Sequence, residues 1–260
     1  MTTKEEVFER CTINGNILKL PDAQLDRNLY LEVKNSLELI GGKWKGGKVS
    51  GFVFPNDPTD YFEKIKNGEK ANLKKEYQFF ATPEKLADYM VELSNLNSMM
   101  KVLEPSAGQG ALIKAIKKVE PLIRVDCYEA MDINYMMLLD IPGVTLCGND
   151  FLECDRTDKY DLVIANPPFS KNQDIDHIYK MYEVTKPGGR IVTLSSKHWK
   201  ISSNKKETDF KNWLDGKDCF IEEIEKGTFK ESGTNIETVL IVIDKDKYLG
   251  NHQTGDEPMR

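Results

Sequence analysis

The sequence has no apolar run approaching the roughly 18 residues of a membrane-spanning helix and no leader of the secretory type, so the cytoplasm is the expected compartment. Cysteine is scarce: the five (Cys11, Cys127, Cys147, Cys154, Cys219) are odd in number and form no Cys-x-x-Cys pair. That excludes a disulfide framework and a zinc ribbon, and reads Cys127 and Cys147 as small buried hydrophobes of core strands. The three histidines, His177, His198 and His252, are scattered, suggest neither a triad nor a metal cluster, and read as surface residues. No metal is expected. There is no internal repeat and no low-complexity stretch. Positive charge is also short, 36 Lys and Arg against 42 Asp and Glu, a net charge of −6. This excludes a uniformly basic surface, but phosphate binding depends on where cations stand and not on their sum.

What is present begins with Asn166-Pro167-Pro168-Phe169, which ends the apolar run Tyr160 to Ala165. Neither proline has a backbone N–H, so the ladder of a strand cannot continue through them. The turn carries one amide, one carbonyl on Pro167 and one aromatic ring. These suit a planar substrate with an exocyclic amine: Asn166 Oδ1 and the Pro167 carbonyl accept the amine hydrogens while Phe169 stacks on the ring. The plainer alternative is a turn that only ends a strand. A second feature is Lys101 to Gly110, which reads as a strand, then a small-residue loop through Ser106, Gly108 and Gly110, then a helix from Ala111 to Val119. Such a loop lets a backbone approach a ligand closely. It lacks the spacing of a phosphate loop and of a full Gly-x-Gly-x-x-Gly fingerprint. Glu104, at the strand tip, would repel phosphate and attract a cation such as an amino group or a sulfonium.

In this order and spacing, Glu104-Pro105-Ser106-Ala107-Gly108-Gln109-Gly110 and Asn166-Pro167-Pro168-Phe169 resemble the S-adenosylmethionine-dependent amino-methyltransferases, most closely the adenine-N6 DNA methyltransferases. The resemblance covers about residues 77 to 243. It implies that Glu129, at the end of a second strand from Arg124, grips the ribose, with nearby Asp132 as the alternative. It further implies that Asp150 and Phe151 meet the adenine of the cofactor, S-adenosyl-L-methionine. Phe79-Phe80-Ala81-Thr82-Pro83 resembles the Phe-x-Thr-Pro element that holds the methionine end in one subclass, which makes Phe80 and Thr82 cofactor residues. Without the resemblance, Glu129 and Asp132 could equally be turn carboxylates, and Asp150 a helix cap.

The fold expected is α/β, a class I methyltransferase (Rossmann-like) domain at residues 77–245. Its strands are read near 101–104, 124–129, 144–147, 160–165, 189–195, 219–226 and 237–243, a mostly parallel seven-stranded sheet. The last two leave no room for a helix between them, so one strand should be antiparallel. Residues 1–76 read as a small N-terminal helical and hairpin extension. Its helix spans Asp22 to Ile40, with Leu25, Leu29, Val33, Leu37 and Ile40 as a packing face, and stops at Gly41-Gly42. A flexible basic turn from Lys43 to Lys48 and a strand from Val49 to Phe54 come next, and residues 246–260 read as a polar tail.

The implied reaction is in-line transfer of a methyl group from S-adenosylmethionine to the 6-amino group of adenine in DNA, on a base that is flipped out or single-stranded. Asn166, Pro167, Pro168 and Phe169 would be catalytic, and Trp199 a second wall for the base. Two lysine-rich stretches, residues 41–75 and 197–211, could form a strand-binding rim, with Lys43, Lys45 and Lys48 as substrate contacts. Ordinary solvated lysines are the competing reading. An RNA base, a protein glutamine, or no catalysis at all in a methyltransferase-like binding subunit are the alternatives. Only about 15 residues come after position 245. Target recognition is therefore expected from residues 1–76, from short and weak specificity, or from a partner, a companion restriction enzyme among them.

Overall fold

A computed structural model describes residues 1–54, 57–69, 81–157, 159–229 and 236–246. Phe79, Phe80, Lys70, Lys74, Lys75 and His252 lie outside the described residues.

The N-terminal part contains α1 (Lys4–Phe8), β1 (Thr12–Asn14), β2 (Ile17–Lys19), α2 (Arg27–Leu39), β3 (Lys43–Lys45), β4 (Gly51–Val53) and α3 (Thr59–Lys66). Its four strands form one antiparallel sheet in the order β1-β2-β4-β3. Helix α2 starts at Arg27 and not at Asp22, because Asp26 is its cap: one carboxylate oxygen accepts from Asn28 N at 2.8 Å and Leu29 N at 3.4 Å. It ends before Gly41, whose φ of 93° is open to glycine. Leu29, Val33, Leu37 and Ile40 pack with Phe8, Leu18, Phe52, Phe54 and Phe62 into a separate small core. The basic turn is corrected: Lys43–Lys45 is a strand paired with β4, and the turn proper is 46–50, with Gly47 at φ 67° and Ser50 at φ 43°.

The rest contains α4 (Glu84–Leu93), β5 (Val102–Glu104), α5 (Ala111–Val119), β6 (Val125–Tyr128), α6 (Asp132–Leu138), β7 (Val144–Gly148), β8 (Tyr160–Ala165), α7 (Gln173–Val184), β9 (Thr185–Ser196), α8 (Lys205–Asp215), β10 (Asp218–Glu223) and β11 (Thr238–Asp244). Seven strands form one sheet in the order β10-β11-β9-β8-β5-β6-β7. Strand β11 runs antiparallel to both neighbours and the other pairs are parallel. Period-two alternation splits the strand side chains between two layers. Val102, Leu162, Ile164 and Val192 meet Leu86, Met90, Ile113 and Ile116 of α4 and α5. Leu103, Val163, Ala165 and Ile191 meet Ile175, Ile178, Met181, Phe210 and Leu214 of α7 and α8. A sheet covered on both faces opens only at its ends, and a ligand crevice lies where strand order reverses, beyond the carboxyl ends of β5 and β8. Among the described residues no helix is long and apolar enough to cross a membrane, and no group of three or more His, Cys, Asp or Glu could hold a metal ion.

Candidate active site

A cavity of about 350 Å³ opens at that edge, and five chain segments line it. They are 81–82, the loop after β5 from Glu104 to Gln109, the end of β6 from Tyr128 to Met131, residues 149–152 after β7, and Asn166 to Phe169 after β8, with Gln173 and His177 of α7.

Glu104 is 2% exposed, and its Oε2 is buried with no hydrogen-bond partner. Burial, reinforced by the charge of Glu129, holds its carboxyl well above the usual range against the opposing Ile113 N–H. A buried acceptor left open on a cavity wall is a place prepared for a donor or a cation. Glu129 is also buried, and its Oε2 accepts from Gly108 N at 2.6 Å. Its Oε1 accepts from Met131 N at 2.8 Å and from Asn134 Nδ2 at 3.2 Å. Burial raises its carboxyl while the Met131 and Gly108 N–H groups draw it back. Glu129 thus ties the end of β6 to the glycine loop. A carboxylate offers about four lone-pair sites, so capacity for a ligand hydroxyl remains. Asp132 opens α6 and does not line the cavity.

Gly108 sits at φ 54° and lines the cavity. Gly110 does not. It caps α5 at φ 75°, and a Cβ there would meet Ile141 Cδ1 at 2.8 Å and Leu138 Cδ2 at 3.1 Å. Its task is to let the loop turn and pack against those two side chains. Asp150 is exposed on the cavity rim, where its Oδ1 accepts from Leu152 N at 2.8 Å. Phe151 is buried between Tyr128 and His177, with ring centroids at 5.5 and 5.7 Å.

At the catalytic turn, Asn166 Nδ2 donates to Thr82 Oγ1 at 3.2 Å, fixing the amide plane. Pro167 is buried, while Pro168 and Phe169 are half-buried; Phe169 both packs on the core and lines the cavity. Two polar clamps hold the segment between this turn and α7. Asn172, in a left-handed conformation at φ 58°, donates from Nδ2 to Glu207 Oε1 at 2.8 Å. Asp174 is fully buried and accepts from Ser195 Oγ and Ser196 N, both at 2.8 Å, joining the start of α7 to the end of β9.

His177 is a residue that sequence reasoning misread. It is 7% exposed, lines the cavity, and its Nδ1 lies 3.4 Å from Ser106 Oγ. Burial pushes its pKa down to about 4, opposed by the charges of Asp150 and Asp176. The ring is therefore neutral near pH 7 and its Nδ1 can accept from Ser106. Gln173 and His177, four apart on the helix after the turn, were the available signal. His198, by contrast, is exposed, as the sequence suggested.

Two further expectations are corrected. Trp199 is 3% exposed and lies edge-on to Phe210 at 5.3 Å, with Nε1 donating to Ser195 Oγ at 3.1 Å. It is a core residue with its one donor satisfied, not a wall of the cavity. The stretch after β9 is not an open basic rim. Lys197 and Lys200 pair with Glu223 at 2.7 and 3.0 Å, Lys206 pairs with Asp176 at 2.7 Å, and Lys205 pairs with Asp209. Cys147 is half-buried on edge strand β7, 3.3 Å from Arg156 Nη1, whereas Cys127 is buried as expected. Lys43, Lys45 and Lys48 are exposed on the N-terminal sheet, outside the cavity lining.

This architecture and cavity define the class I S-adenosylmethionine-dependent methyltransferase fold. A Listeria monocytogenes protein assigned to that class superposes with a TM-score of 0.54 and 15% identity, over 75% of this chain and 68% of its own. The M protein of the type I restriction enzyme EcoKI superposes with a TM-score of 0.53 and 17% identity, over 85% of this chain and 55% of its own. In sequence, the chain is similar to the type II methyltransferase M.AccI of Acinetobacter calcoaceticus, 29% identical over 109 residues, 40% of this chain and 20% of that protein. It is similar also to the type II methyltransferase M.CvrRI of Paramecium bursaria Chlorella virus XZ-6E, 24% identical over 117 residues, 45% of this chain and 30% of that protein. The match thus spans less than a third of the length of either curated relative. No protein-family profile matches the chain.

Proposed function

We propose that this protein is an S-adenosylmethionine-dependent methyltransferase that acts on the 6-amino group of adenine in DNA. The observation that carries the reading is the meeting of two unlike elements in one cavity: the unpartnered buried oxygen of Glu104, and the Asn166-Pro167-Pro168-Phe169 turn with its amide fixed by Thr82. The first suits a cation and the second suits an aromatic amine. Similarity to two type II methyltransferases is consistent with this reading.

S-adenosylmethionine, when bound, supplies a methyl group already activated on a positively charged sulfur, for direct in-line displacement. The residues that would hold it are Thr82, Glu104, Ser106, Gly108, Glu129, Asp150 and Phe151, all of which line the cavity. The rest of the chemistry belongs to the turn. The amine of adenine is a poor nucleophile because its lone pair is delocalised into the ring. Asn166 Oδ1 and the Pro167 carbonyl accept its two hydrogens, draw the nitrogen toward tetrahedral geometry and stabilise the positive charge that develops there. The Asn166 amide nitrogen donates to the Thr82 hydroxyl oxygen, so the amide cannot rotate without losing a bond, and its oxygen is pre-positioned. Phe169 offers a face on the cavity for the base to stack on, which requires a base outside the duplex stack. The reading extends to a partner, a specificity subunit or companion restriction enzyme.

The test is mass spectrometry of nucleosides and peptides after incubation with methyl-labelled cofactor and DNA, RNA or protein. N6-methyladenine in DNA is the expected product. Label confined to RNA or to glutamine would overturn the substrate assignment, and no label on any substrate would overturn the activity.

A further inference from the structure

No Asp or Glu falls within the four-stranded N-terminal sheet of this acidic chain. Residues 11–20 and 41–54, which form all four strands and both hairpin turns, contain Lys19, Lys43, Lys45 and Lys48 and no Asp or Glu. All four lysines are exposed, and among the described residues none of them makes an ion pair. The lysines after β9 are the contrast, since Lys197, Lys200, Lys205 and Lys206 each meet a carboxylate of the protein.

Strand register gathers Lys19, Lys43 and Lys45 on one face. Trp44 stands opposite Phe52, and Phe52 opposite Leu18; this row faces the small core, where Phe52 and Leu18 are fully buried. Side chains alternate along a strand, so Lys43 and Lys45 point to the other face, about 7 Å apart. Lys45 stands opposite Gly51, and beyond Gly51 comes Lys19, whose Cγ lies 3.3 Å from where a Gly51 Cβ would stand. Lys45 and Lys19 are thus about 10 Å apart, two strand spacings, across a residue with no side chain. Lys48 is exposed in the turn that joins β3 to β4. Thr12, Asn14, Ile17 and Val53 complete the face, and none of them carries a negative charge. Lys43 Nζ also lies 3.9 Å from Met137 Sδ, which sets the face beside α6, the helix that leaves the cavity wall after Met131.

We infer that this face of the N-terminal sheet, through Lys19, Lys43, Lys45 and Lys48, is the surface that holds the phosphate backbone of the DNA substrate. That the occupant is DNA rests on the proposed function; that it is a polyanion rests on the face itself. Lysine binds phosphate as a point charge and releases counterions from the duplex, so the contact reads no sequence and is lost as salt rises. An isolated solvated lysine is ordinary. Three of them on one sheet face and a fourth in its turn, none with an ion-pair partner among the described residues, in a chain of net charge −6, are a segregated charge that a polyanion would neutralise.

The test is duplex DNA binding by fluorescence anisotropy across a salt series, for wild type and for Lys19→Gln, Lys43→Gln, Lys45→Gln and Lys48→Gln combined. The slope of log affinity against log salt should shrink by about 0.9 for each lysine that contacts a phosphate, with weaker binding to every sequence alike. S-adenosylmethionine binding by calorimetry should be unchanged, and so should the far-ultraviolet circular dichroism and the thermal unfolding profile, which together show that both the cavity and the N-terminal sheet fold. The four-fold Lys→Arg variant should keep the wild-type slope, and Lys205→Gln with Lys206→Gln should also leave it in place. An unchanged slope in the Gln variant would overturn the inference, as would wild-type binding to RNA and not to DNA. Loss of slope in a protein that methylates no DNA would instead overturn the proposed reaction and leave this surface standing.

Discussion

Replacing Glu104 by Gln should stabilise the cofactor-free protein and cripple the loaded one. The carboxyl is 2% exposed, its Oε2 has no partner, and burial followed by the charge of Glu129 holds its pKa above the ordinary 4.5. The folded state therefore keeps a proton that the unfolded state gives up. Unfolding then releases protons at pH values between 4.5 and the raised value, so stability falls as pH rises through that window. Glutamine has nothing to titrate. The two proteins should have matching stability below the unfolded value near 4.5 and diverge above it, with the variant the more stable. Each pH unit above 4.5 within that window costs the wild type about 1.4 kcal/mol relative to the variant. A difference of about 2 kcal/mol corresponds to roughly 4–8 °C in Tm for a chain of this size. With cofactor the sign inverts: a charge-assisted contact of about 1.5–3 kcal/mol is lost, weakening binding about 10- to 150-fold. Wild-type affinity should itself rise with pH, because a cationic ligand favours the ionised carboxylate. Scanning calorimetry of both apo proteins from pH 4 to 8, and titration calorimetry in buffers of different ionisation enthalpy, read these effects. Parallel Tm curves across that range, or equal cofactor affinity, would refute the account of Glu104.

Three further substitutions separate the parts of the site. Asn166→Ala should lower the single-turnover methylation rate about 100- to 1,000-fold while leaving cofactor affinity in place, because the lost acceptor acts chiefly in the transition state; a rate within a few-fold of wild type would remove Asn166 from the chemistry. Gly110→Ala should cost about 1–3 kcal/mol in thermal unfolding from its positive φ and its clash with Ile141 and Leu138, with cofactor affinity changed only a few-fold in the protein that remains folded. A large affinity loss at unchanged Tm would return Gly110 to the ligand. His177→Phe keeps a ring against Phe151 but removes the acceptor facing Ser106, and should weaken cofactor binding by about tenfold, the worth of one hydrogen bond. Since the histidine is pushed down to about 4, its contribution should be constant from pH 6 to 8 and decline only under acid, and a titration near 6.5 in the difference between the two proteins would count against a buried neutral ring.

The strands of the large sheet were legible because buried parallel strands are continuous apolar runs, such as Tyr160 to Ala165, and because each ends on its own punctuation. The antiparallel placement of β11 came from the absence of room for a helix. Where boundaries slipped, a local cause is visible. Strand β9 begins at Thr185 because 186–189 is accommodated as an irregularity: Tyr160 pairs with Thr185, but Leu162 already pairs with Arg190. A Lys-Pro-Gly-Gly stretch gives no period to read. In the N-terminal part β1, β2, β3 and β4 are three residues each, shorter than any window in which alternation can be counted.

The site divides in the same way. Glu104, Gly108, Asn166 and Phe169 belong to short local patterns, and the sequence alone places them at one sheet edge. His177, Trp199 and the lysines after β9 are decided by partners that the sequence keeps far away: Ser106 for the histidine, Phe210 for the indole, and Glu223 and Asp176 for the cations. Counting charge along a window therefore gave two basic stretches of similar weight, and packing cancelled one of them. What survives is the sheet whose lysines make no ion pair among the described residues. A net charge of −6 argues against a polyanion partner only if charge is mixed evenly. Here carboxylates line the cavity at Glu104, Glu129 and Asp150, where a cationic cofactor belongs on the proposed reading. The unpaired lysines are held on a separate sheet, and opposite charges kept apart can attract opposite partners without neutralising each other.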